Sequence, residues 1–206
     1  MQEIWPYLGI LAALCVGVVS PGPSFIMIAR TAAAGSRADG LAAALGMGAG
    51  GFLFGLLALA GLQGLLAAVP TLYLGLKLAG GLYLAYLGLR LWLAARQALQ
   101  VDLQVPVRTR RSFALGFATQ VSNPKTALVY AGVFAAFLPR EFSLAFGAAL
   151  LISVFVVEAG WYALVAVALS SERPRAAYLR CKTWADRLAG GALMALGLRL
   201  AFSARA

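Results

Sequence analysis

The sequence predicts an all-α polytopic membrane protein, with six transmembrane helices arranged as two inverted three-helix repeats. Three observations predict this fold class. The chain of 206 residues is 62% hydrophobic and only 12% charged, whereas about a quarter of the residues in a soluble domain are charged. Residues 4–29 contain no charged side chain, and a helix that spans a bilayer needs about 20 apolar residues. Basic residues are concentrated in alternate loops.

Hydropathy and turn residues divide the chain into six apolar segments. These segments are residues 4–29, 40–67, 71–93, 113–138, 143–169 and 188–202. The loops between them are residues 30–39, 68–70, 94–112, 139–142 and 170–187. Glu3 precedes the first segment and no Lys or Arg does. The basic start of a secretory signal peptide is therefore missing, and we expect the first helix to be retained. Asp39 is predicted to cap the second helix.

The distribution of basic residues predicts the orientation of the helices. The first, third and fifth loops hold Arg30, Arg37, Arg96, Arg108, Arg110, Arg111, Arg173, Arg175, Arg180, Lys182 and Arg187. The opposite side holds Arg140 and Arg205. Because basic residues accumulate in cytoplasmic loops, both termini are predicted to lie outside the cell and the three basic loops inside. The same rule accounts for the net charge of +10, so no nucleic-acid partner is expected.

The chain also contains an internal repeat. The segment "KLAGGLYLAYLGLRLWLA", from Lys77, is similar to "RLAGGALMALGLRLAFSA", from Arg187, and "SPGPS", from Ser20, pairs with "SNPKT", from Ser122. The repeating unit thus has three helices, and its second copy must run inverted through the membrane. We expect one transmembrane domain over residues 1–206, with repeats at about 1–97 and 107–206. Inverted repeats with interrupted helices are typical of secondary transporters; a chance likeness between Gly- and Leu-rich helices is the alternative.

Five stretches of the sequence together resemble the LysE/RhtB family of amino-acid exporters. They are "SPGPSF", "ARTAAAGSRADG", "ALGMGAG", "LKLAGGLYLAYLGLRL" and "GFATQVSNPKTALVYAGVFAAFLP". The resemblance runs from the first helix to the end of the sixth. It implies a multi-pass protein of the bacterial inner membrane that exports amino acids, driven by the proton gradient. The side chain of the substrate stays open, with lysine, threonine, leucine and homoserine-type substrates all compatible.

The first helix is interrupted by Pro21, Gly22 and Pro23. Because proline has no backbone N–H, the carbonyls of Gly17 and Val19 lose their helical partners. Such a break is tolerated in a membrane only where it is buried in protein or faces a watery cavity. The freed carbonyls can hold an ammonium group or a water. The alternative is a simple kink for helix packing.

The fourth helix repeats this arrangement from the opposite direction at Asn123 and Pro124. Pro124 frees the carbonyl of Gln120, and the restarting half of each broken helix presents N–H groups that suit a carboxylate. Two such breaks near the midplane are predicted to hold the amino and carboxylate ends of an amino acid. Asn123 either recognises the substrate or only caps the restarted helix.

Three further charged residues are candidates for the transport site. Lys125 lies near mid-membrane, where a charge costs about 3 kcal/mol on insertion scales, and is assigned to the substrate carboxylate or to an essential ion pair. Glu158 is the acidic residue inside a predicted span; burial favours its protonated form, which makes it a candidate proton carrier, or it neutralises Lys125. Lys77, near the outer face, either extends to the lipid headgroups or acts as a gate. Phe52, Phe54, Trp161 and Tyr162 are candidates for the pocket rim.

Other functions fit the sequence less well. A thiol-redox carrier needs a partner for Cys15, but the repeat-related residues 116–118 contain no cysteine. The chain has no histidine, which argues against an intramembrane hydrolase. A metal-ion or other small-metabolite exporter is the remaining alternative, although the central residues offer a divalent metal poor ligands. We therefore predict no enzyme activity, no cofactor and no bound metal. The expected partners are a small amino-acid substrate and membrane lipid, and the small-residue faces are compatible with a homodimer.

Overall fold

The computed structural model describes residues 3–20, 22–34, 36–68, 72–96, 109–170 and 172–203, and within these ranges it contains eight α-helices and no strand. The helices are α1 Ile4–Val19, α2 Pro23–Ala34, α3 Arg37–Ala68, α4 Leu72–Ala94, α5 Thr109–Val121, α6 Pro124–Phe137, α7 Leu144–Leu169 and α8 Glu172–Ser203. The predicted all-α class is confirmed.

Two helices of the described chain are long and apolar enough to cross a membrane. They are the Arg37–Leu62 part of α3 and the whole of α7, Leu144–Leu169. The pair α1 and α2, which is bent by 58° at the break between them, qualifies as a third span when counted together. The six predicted spans therefore remain a prediction.

Helix breaks occur in both segments that the prolines mark. The predicted first span is divided into α1 and α2, and the predicted fourth span into α5 and α6. In each case the second half begins at a proline, Pro23 or Pro124. Proline suits the first position of a helix because the N–H that it lacks would have no partner there.

Two predicted loops are largely helical. In residues 30–39, α2 continues to Ala34 and α3 begins at Arg37. Residues 170–187 were assigned to a loop because of their basic charge, but α8 begins at Glu172 and continues to Ser203. The segment is rich in Ala and Arg, which favour helices, and Pro174 lies in the first turn, where proline is tolerated. The charge pattern indicated contact with water, which does not exclude a helix.

The start of α3 is fixed by reciprocal hydrogen bonds between Ser36 and Asp39. The Ser36 hydroxyl oxygen accepts from the Asp39 N–H at 3.2 Å, and the Asp39 carboxylate accepts from the Ser36 N–H at 3.0 Å. This is a capping box with aspartate in the third helical position. Asp39 was predicted to precede the helix and to cap it; instead it lies inside the first turn and stabilises the end from there.

Close contacts between helices define their relative directions. The helices α3 and α7 run antiparallel, since Gly40 packs on Ala166 and Gly55 on Leu151. The helices α1 and α7 begin at the same end of the bundle, because the Glu3 carboxylate accepts hydrogen bonds from the Ser143 N–H and hydroxyl. The directions place the starts of α1 and α7 opposite the start of α3.

The backbones of α4 and α8 approach each other closely at two points along their length. A Cβ atom on Gly81 would lie 2.8 Å from the Gly197 carbonyl oxygen, and one on Gly190 would lie 2.6 Å from the Gly88 carbonyl oxygen. Only glycine permits backbones to approach so closely, as is common between membrane helices. The two contacts show that α4 and α8 pack antiparallel.

The buried apolar side chains form two clusters. The first includes Ile10, Leu14, Tyr130, Phe134 and Leu150. The second includes Phe25, Ile28, Met47, Tyr162 and Val165. Polar side chains are gathered where the two clusters meet, beside the helix breaks.

Candidate functional site at the two helix breaks

The break between α5 and α6 is stabilised by its own side chain. Asn123 has an extended backbone, and its side-chain oxygen Oδ1 accepts a hydrogen bond from the Lys125 N–H at 3.0 Å. This bond satisfies one of the N–H groups left without a partner at the start of α6. Asn123 thus caps α6, as one of its two predicted roles requires.

The break between α1 and α2 receives a side chain from the other break. The Lys125 ammonium nitrogen Nζ donates a hydrogen bond to the Ser20 carbonyl oxygen at 2.7 Å. Gly22 leaves room for this side chain, because a Cβ atom there would lie 3.3 Å from Lys125 Cδ. The carbonyl that binds the ammonium is that of Ser20 rather than those of Gly17 or Val19, and Pro21 lies outside the described residues.

A chain of hydrogen bonds connects the two breaks to Glu158. The Asn123 amide Nδ2 donates to the Ser24 hydroxyl at 2.8 Å, and this hydroxyl donates to Gln120 Oε1 at 2.7 Å. The Gln120 amide Nε2 donates to Glu158 Oε2 at 2.9 Å, and the Tyr130 hydroxyl donates to Glu158 Oε1 at 3.0 Å. The chain therefore runs from α6 through α2 and α5 to the middle of α7.

All members of this hydrogen-bonded chain are buried. The exposed fractions are 0% for Gln120, 1% for Ser24, 2% for Tyr130, 4% for Asn123 and 5% for Glu158. Burying polar groups in an apolar protein is costly unless each one is hydrogen-bonded. The complete chain of partners is what allows this cluster to exist between two apolar cores.

Lys125 and Glu158 are close to the same cavity but do not touch. In the described part of the chain no ion pair joins the Lys125 ammonium to the Glu158 carboxyl group; the hydrogen bonds of each are made to the neutral groups named above. Lys125 and Glu158 therefore interact without direct contact, and the buried carboxylate of Asp186 acts on Lys125 in the same way.

The cavity between the breaks is very small. Its volume is about 20 Å³, which is close to the smallest space that holds one water molecule. Its walls include Gly17, Ser20, Gly22, Asn123, Lys125 and Glu158. The Ser20 hydroxyl also lines it, is buried and has no hydrogen-bond partner in the described structure. The space left at the breaks in this conformation is therefore too small for an amino acid.

The structure distributes the other predicted residues differently. Pro23 and Pro124 begin α2 and α6 beside the cavity. Tyr162 lines the cavity, Phe54 packs on Tyr130 with ring centroids 5.7 Å apart, and Phe52 is 37% exposed. The buried indole nitrogen of Trp161 has no hydrogen-bond partner among the described residues.

Lys77 lies outside this cluster. It lines a separate groove with Trp5 and Arg199. The central cavity and this groove share no lining residue, so the structure does not bring Lys77 to the site that contains Lys125 and Glu158.

Sequence reasoning missed three members of the site, Ser24, Gln120 and Tyr130. Gln120 had been noticed for its backbone carbonyl, while its side chain makes the central connection between Ser24 and Glu158. A polar amide within an apolar span was a visible signal for Gln120. No comparable signal marked Ser24 and Tyr130, since hydroxyl groups are common in membrane helices.

An apolar helical bundle whose two broken helices enclose buried polar and charged groups has the architecture of a membrane transport protein. The family model described as LysE type translocator matches residues 15–204. The chain therefore belongs to the LysE family of translocators.

Curated relatives cover nearly the whole chain. It is 26% identical over 201 residues to the threonine efflux protein of Escherichia coli K12, which covers 96% of this chain and 98% of that protein. It is 27% identical over 192 residues to the threonine efflux protein of Salmonella typhi, with 91% and 93% covered. An uncharacterized membrane protein of Pseudomonas aeruginosa is 33% identical over 150 residues, with 67% and 65% covered. No solved structure matches the chain significantly.

Proposed function

We propose that this protein exports amino acids or their close derivatives across the bacterial inner membrane, by proton-coupled alternating access around the cavity at the two helix breaks. The observation that carries the proposal is the meeting of both breaks at one buried cavity, where Lys125 binds the Ser20 carbonyl and Glu158 is hydrogen-bonded nearby. The relatives named threonine efflux proteins support an amino acid as the substrate class.

The contact between Lys125 and Ser20 suggests how a zwitterion binds. In this conformation the Lys125 ammonium donates a hydrogen bond to the Ser20 carbonyl oxygen. The same oxygen could accept from the ammonium group of an amino acid. On substrate binding, Lys125 turns to the substrate carboxylate, and the Ser20 carbonyl accepts from the substrate ammonium. Gly22, beside the Lys125 side chain, gives the room for this exchange. Pro21, Pro23 and Pro124 lack the N–H that a continuous helix would use at each break, although the Gln120 carbonyl accepts from the Asn123 N–H at 3.2 Å.

Glu158 is proposed to carry the coupled proton. Both of its carboxyl oxygens accept a hydrogen bond, from Gln120 and from Tyr130. Protonation adds an O–H donor to one of these oxygens, and this donor needs an acceptor among the neighbouring groups. If the Gln120 amide rotates to accept the new proton, its bond to Ser24 at the start of α2 changes too. Protonation is thereby linked to the broken first helix.

The alternating movement is proposed to involve two inverted units of three spans each. Support comes from α4 and α8, the proposed third and sixth spans. In the repeat alignment Gly88 corresponds to Gly197, and Gly190 corresponds to Gly80. The contact between Gly88 and Gly190 therefore has a near equivalent in the contact between Gly81 and Gly197. The antiparallel directions of α3 and α7 also agree with alternating spans.

An export assay tests the proposed function. Bacterial cells with and without the protein are loaded with dipeptides, and the release of all twenty amino acids is followed. We expect faster release of a few amino acids, which would also identify the side chain that the cavity accepts. Equal release of every amino acid, with the protein verified in the membrane, would contradict the proposal.

A further inference from the structure

A groove at one end of the bundle is separate from the central cavity. Its volume is about 540 Å³, and its lining includes Trp5, Leu8, Lys77, Phe137, Arg199 and Leu200. It lies between the start of α1, the first turns of α4, the end of α6 and the last turns of α8. In the proposed orientation this is the outer side of the membrane.

Two cations in the groove have no partner within the described chain. Lys77 on α4 and Arg199 on α8 make no hydrogen bond or ion pair there, and none of the residues that line the groove is acidic. The two helices run antiparallel, which brings residues from distant parts of the sequence to one place. Two uncompensated positive charges in one concave surface favour an anion.

The remaining surface of the groove is apolar. Leu8, Phe137 and Leu200 contribute to it, and Trp5 is 78% exposed beside them. An exposed tryptophan next to a half-buried lysine is typical of the level of the lipid headgroups. The groove therefore offers cations to an anionic group and an apolar surface to a chain attached to it, which is the chemistry of an anionic phospholipid.

We propose that this groove binds an anionic phospholipid of the outer leaflet, with its phosphate between Lys77 and Arg199 and an acyl chain along the apolar side. A free inorganic anion would make no contact with the apolar wall. An exported amino acid has a single carboxylate, which would leave one of the two cations without a partner. Basic residues are few on the proposed outer side, so a pair of cations in one groove there is not accounted for by topology.

The test measures lipid binding to the purified full-length protein in detergent. Thermal stabilisation is titrated with phosphatidylglycerol, with phosphatidylcholine and with inorganic phosphate. We expect saturable stabilisation by phosphatidylglycerol alone. The double variant Lys77→Gln/Arg199→Gln should bind it about 30-fold more weakly. A basic residue near an anionic lipid surface contributes about 1 kcal/mol of binding free energy, and about 2 kcal/mol for the pair converts to this factor.

The chain offers a matched control for this experiment. Arg90 and Arg199 stand in the same sequence, Leu-Gly-Leu-Arg-Leu, in α4 and α8, and both are exposed. Arg90 does not line the groove, so Arg90→Gln should retain phosphatidylglycerol binding. The charge-conserving variant Lys77→Arg/Arg199→Lys should retain it as well, which separates loss of charge from failure to fold.

Four outcomes would overturn the proposal. Equal stabilisation by phosphatidylcholine would show that the headgroup is not recognised. Equal weakening in Arg90→Gln would reduce the effect to overall charge, and equal stabilisation by inorganic phosphate would indicate a site for free anions. Displacement of the lipid by an exported amino acid would identify the groove as an exit for substrate. The first three results do not depend on whether the central cavity transports amino acids.

Discussion

At both helix breaks the second helix begins with a proline, but the side chains and their hydrogen bonds differ. The break between α5 and α6 supplies side chains: Asn123 caps α6, and Lys125 extends to the other break. The break between α1 and α2 mainly receives them, through the Ser20 carbonyl and the Ser24 hydroxyl. At the start of α2, Gly22 has no side chain to cap with, and its carbonyl accepts from the Ile26 N–H at 3.0 Å.

This difference shows how two similar helix breaks can contribute unequally to one buried cluster. Both breaks have a proline that opens the next helix, while the cap and the ammonium group come from the second break. The second break should therefore be more sensitive to substitution than the first. The largest effect should come from Lys125, which joins the two breaks with a charged group, and the smallest from Asn123, whose bonds to both breaks involve a neutral amide.

Replacement of Lys125 should have the largest effect. Lys125→Ala removes the ammonium group from the Ser20 carbonyl and from the proposed carboxylate site, so export should be abolished while the protein still reaches the membrane. Export from dipeptide-loaded cells measures this, with Arg90→Ala as a control for loss of an exposed cation. Normal export by Lys125→Ala would remove the proposed binding site.

Replacement of Glu158 should affect coupling more than binding. Glu158→Gln keeps the size of the side chain but cannot release a proton, so export should become slower and insensitive to collapse of the proton gradient by an uncoupler. Glu141→Gln, which changes an exposed acidic residue outside the helices, should behave like the wild type. If Glu158→Gln kept the uncoupler sensitivity and pH dependence of the wild type, Glu158 would be a structural partner and not the proton carrier.

Replacement of Gln120 should lower stability and weaken the link between Glu158 and the first break. Gln120→Leu leaves the Ser24 hydroxyl without an acceptor and Glu158 Oε2 without a donor. Each unsatisfied buried group costs about 1–3 kcal/mol. Thermal unfolding in detergent measures the loss. Ser122→Ala, at an exposed neighbouring polar residue, should change the stability by less than about 0.5 kcal/mol. Equal melting temperatures for the two variants would contradict the hydrogen-bonded chain.

Replacement of Asn123 should have the smallest effect on stability. Two variants distinguish its cap of α6 from its hydrogen bond to Ser24. Asn123→Ala removes the cap of α6 and should cost about 1 kcal/mol. Asn123→Asp keeps an oxygen for the cap but loses the donor to Ser24. We expect Asn123→Asp to retain the stability contributed by the cap while export is still reduced. Full export by Asn123→Asp would show that the bond to Ser24 is not needed.

The sequence predicted the breaks because proline removes a backbone donor wherever it stands. Pro23 and Pro124 could thus be interpreted from local chemistry alone. The contact between Lys125 and Ser20, 105 residues apart, depends on how α1, α2 and α6 pack, which no local pattern encodes. The groove was equally hard to predict from the sequence. Lys77 and Arg199 are far apart in the chain and come together only through the antiparallel packing of α4 and α8.

The early start of α8 was missed for a different reason. The basic residues of 170–187 indicated contact with water or headgroups, and a loop is the usual interpretation of such a charge pattern between spans. Helix propensity gave the opposite indication, because Ala, Leu, Arg and Lys are strong helix formers. Polarity predicts the environment of a segment, and propensity predicts its backbone; for this segment propensity agreed with the structure.

The central claim is that Lys125 leaves the Ser20 carbonyl to bind the substrate carboxylate. The most direct test compares the affinity of an exported amino acid with that of its amino alcohol, which lacks the carboxylate, for the wild type and for Lys125→Ala. We expect the wild type to prefer the amino acid by about tenfold or more, and Lys125→Ala to bind both compounds equally, as a thermodynamic cycle on one contact requires. The same preference in both proteins would contradict the account.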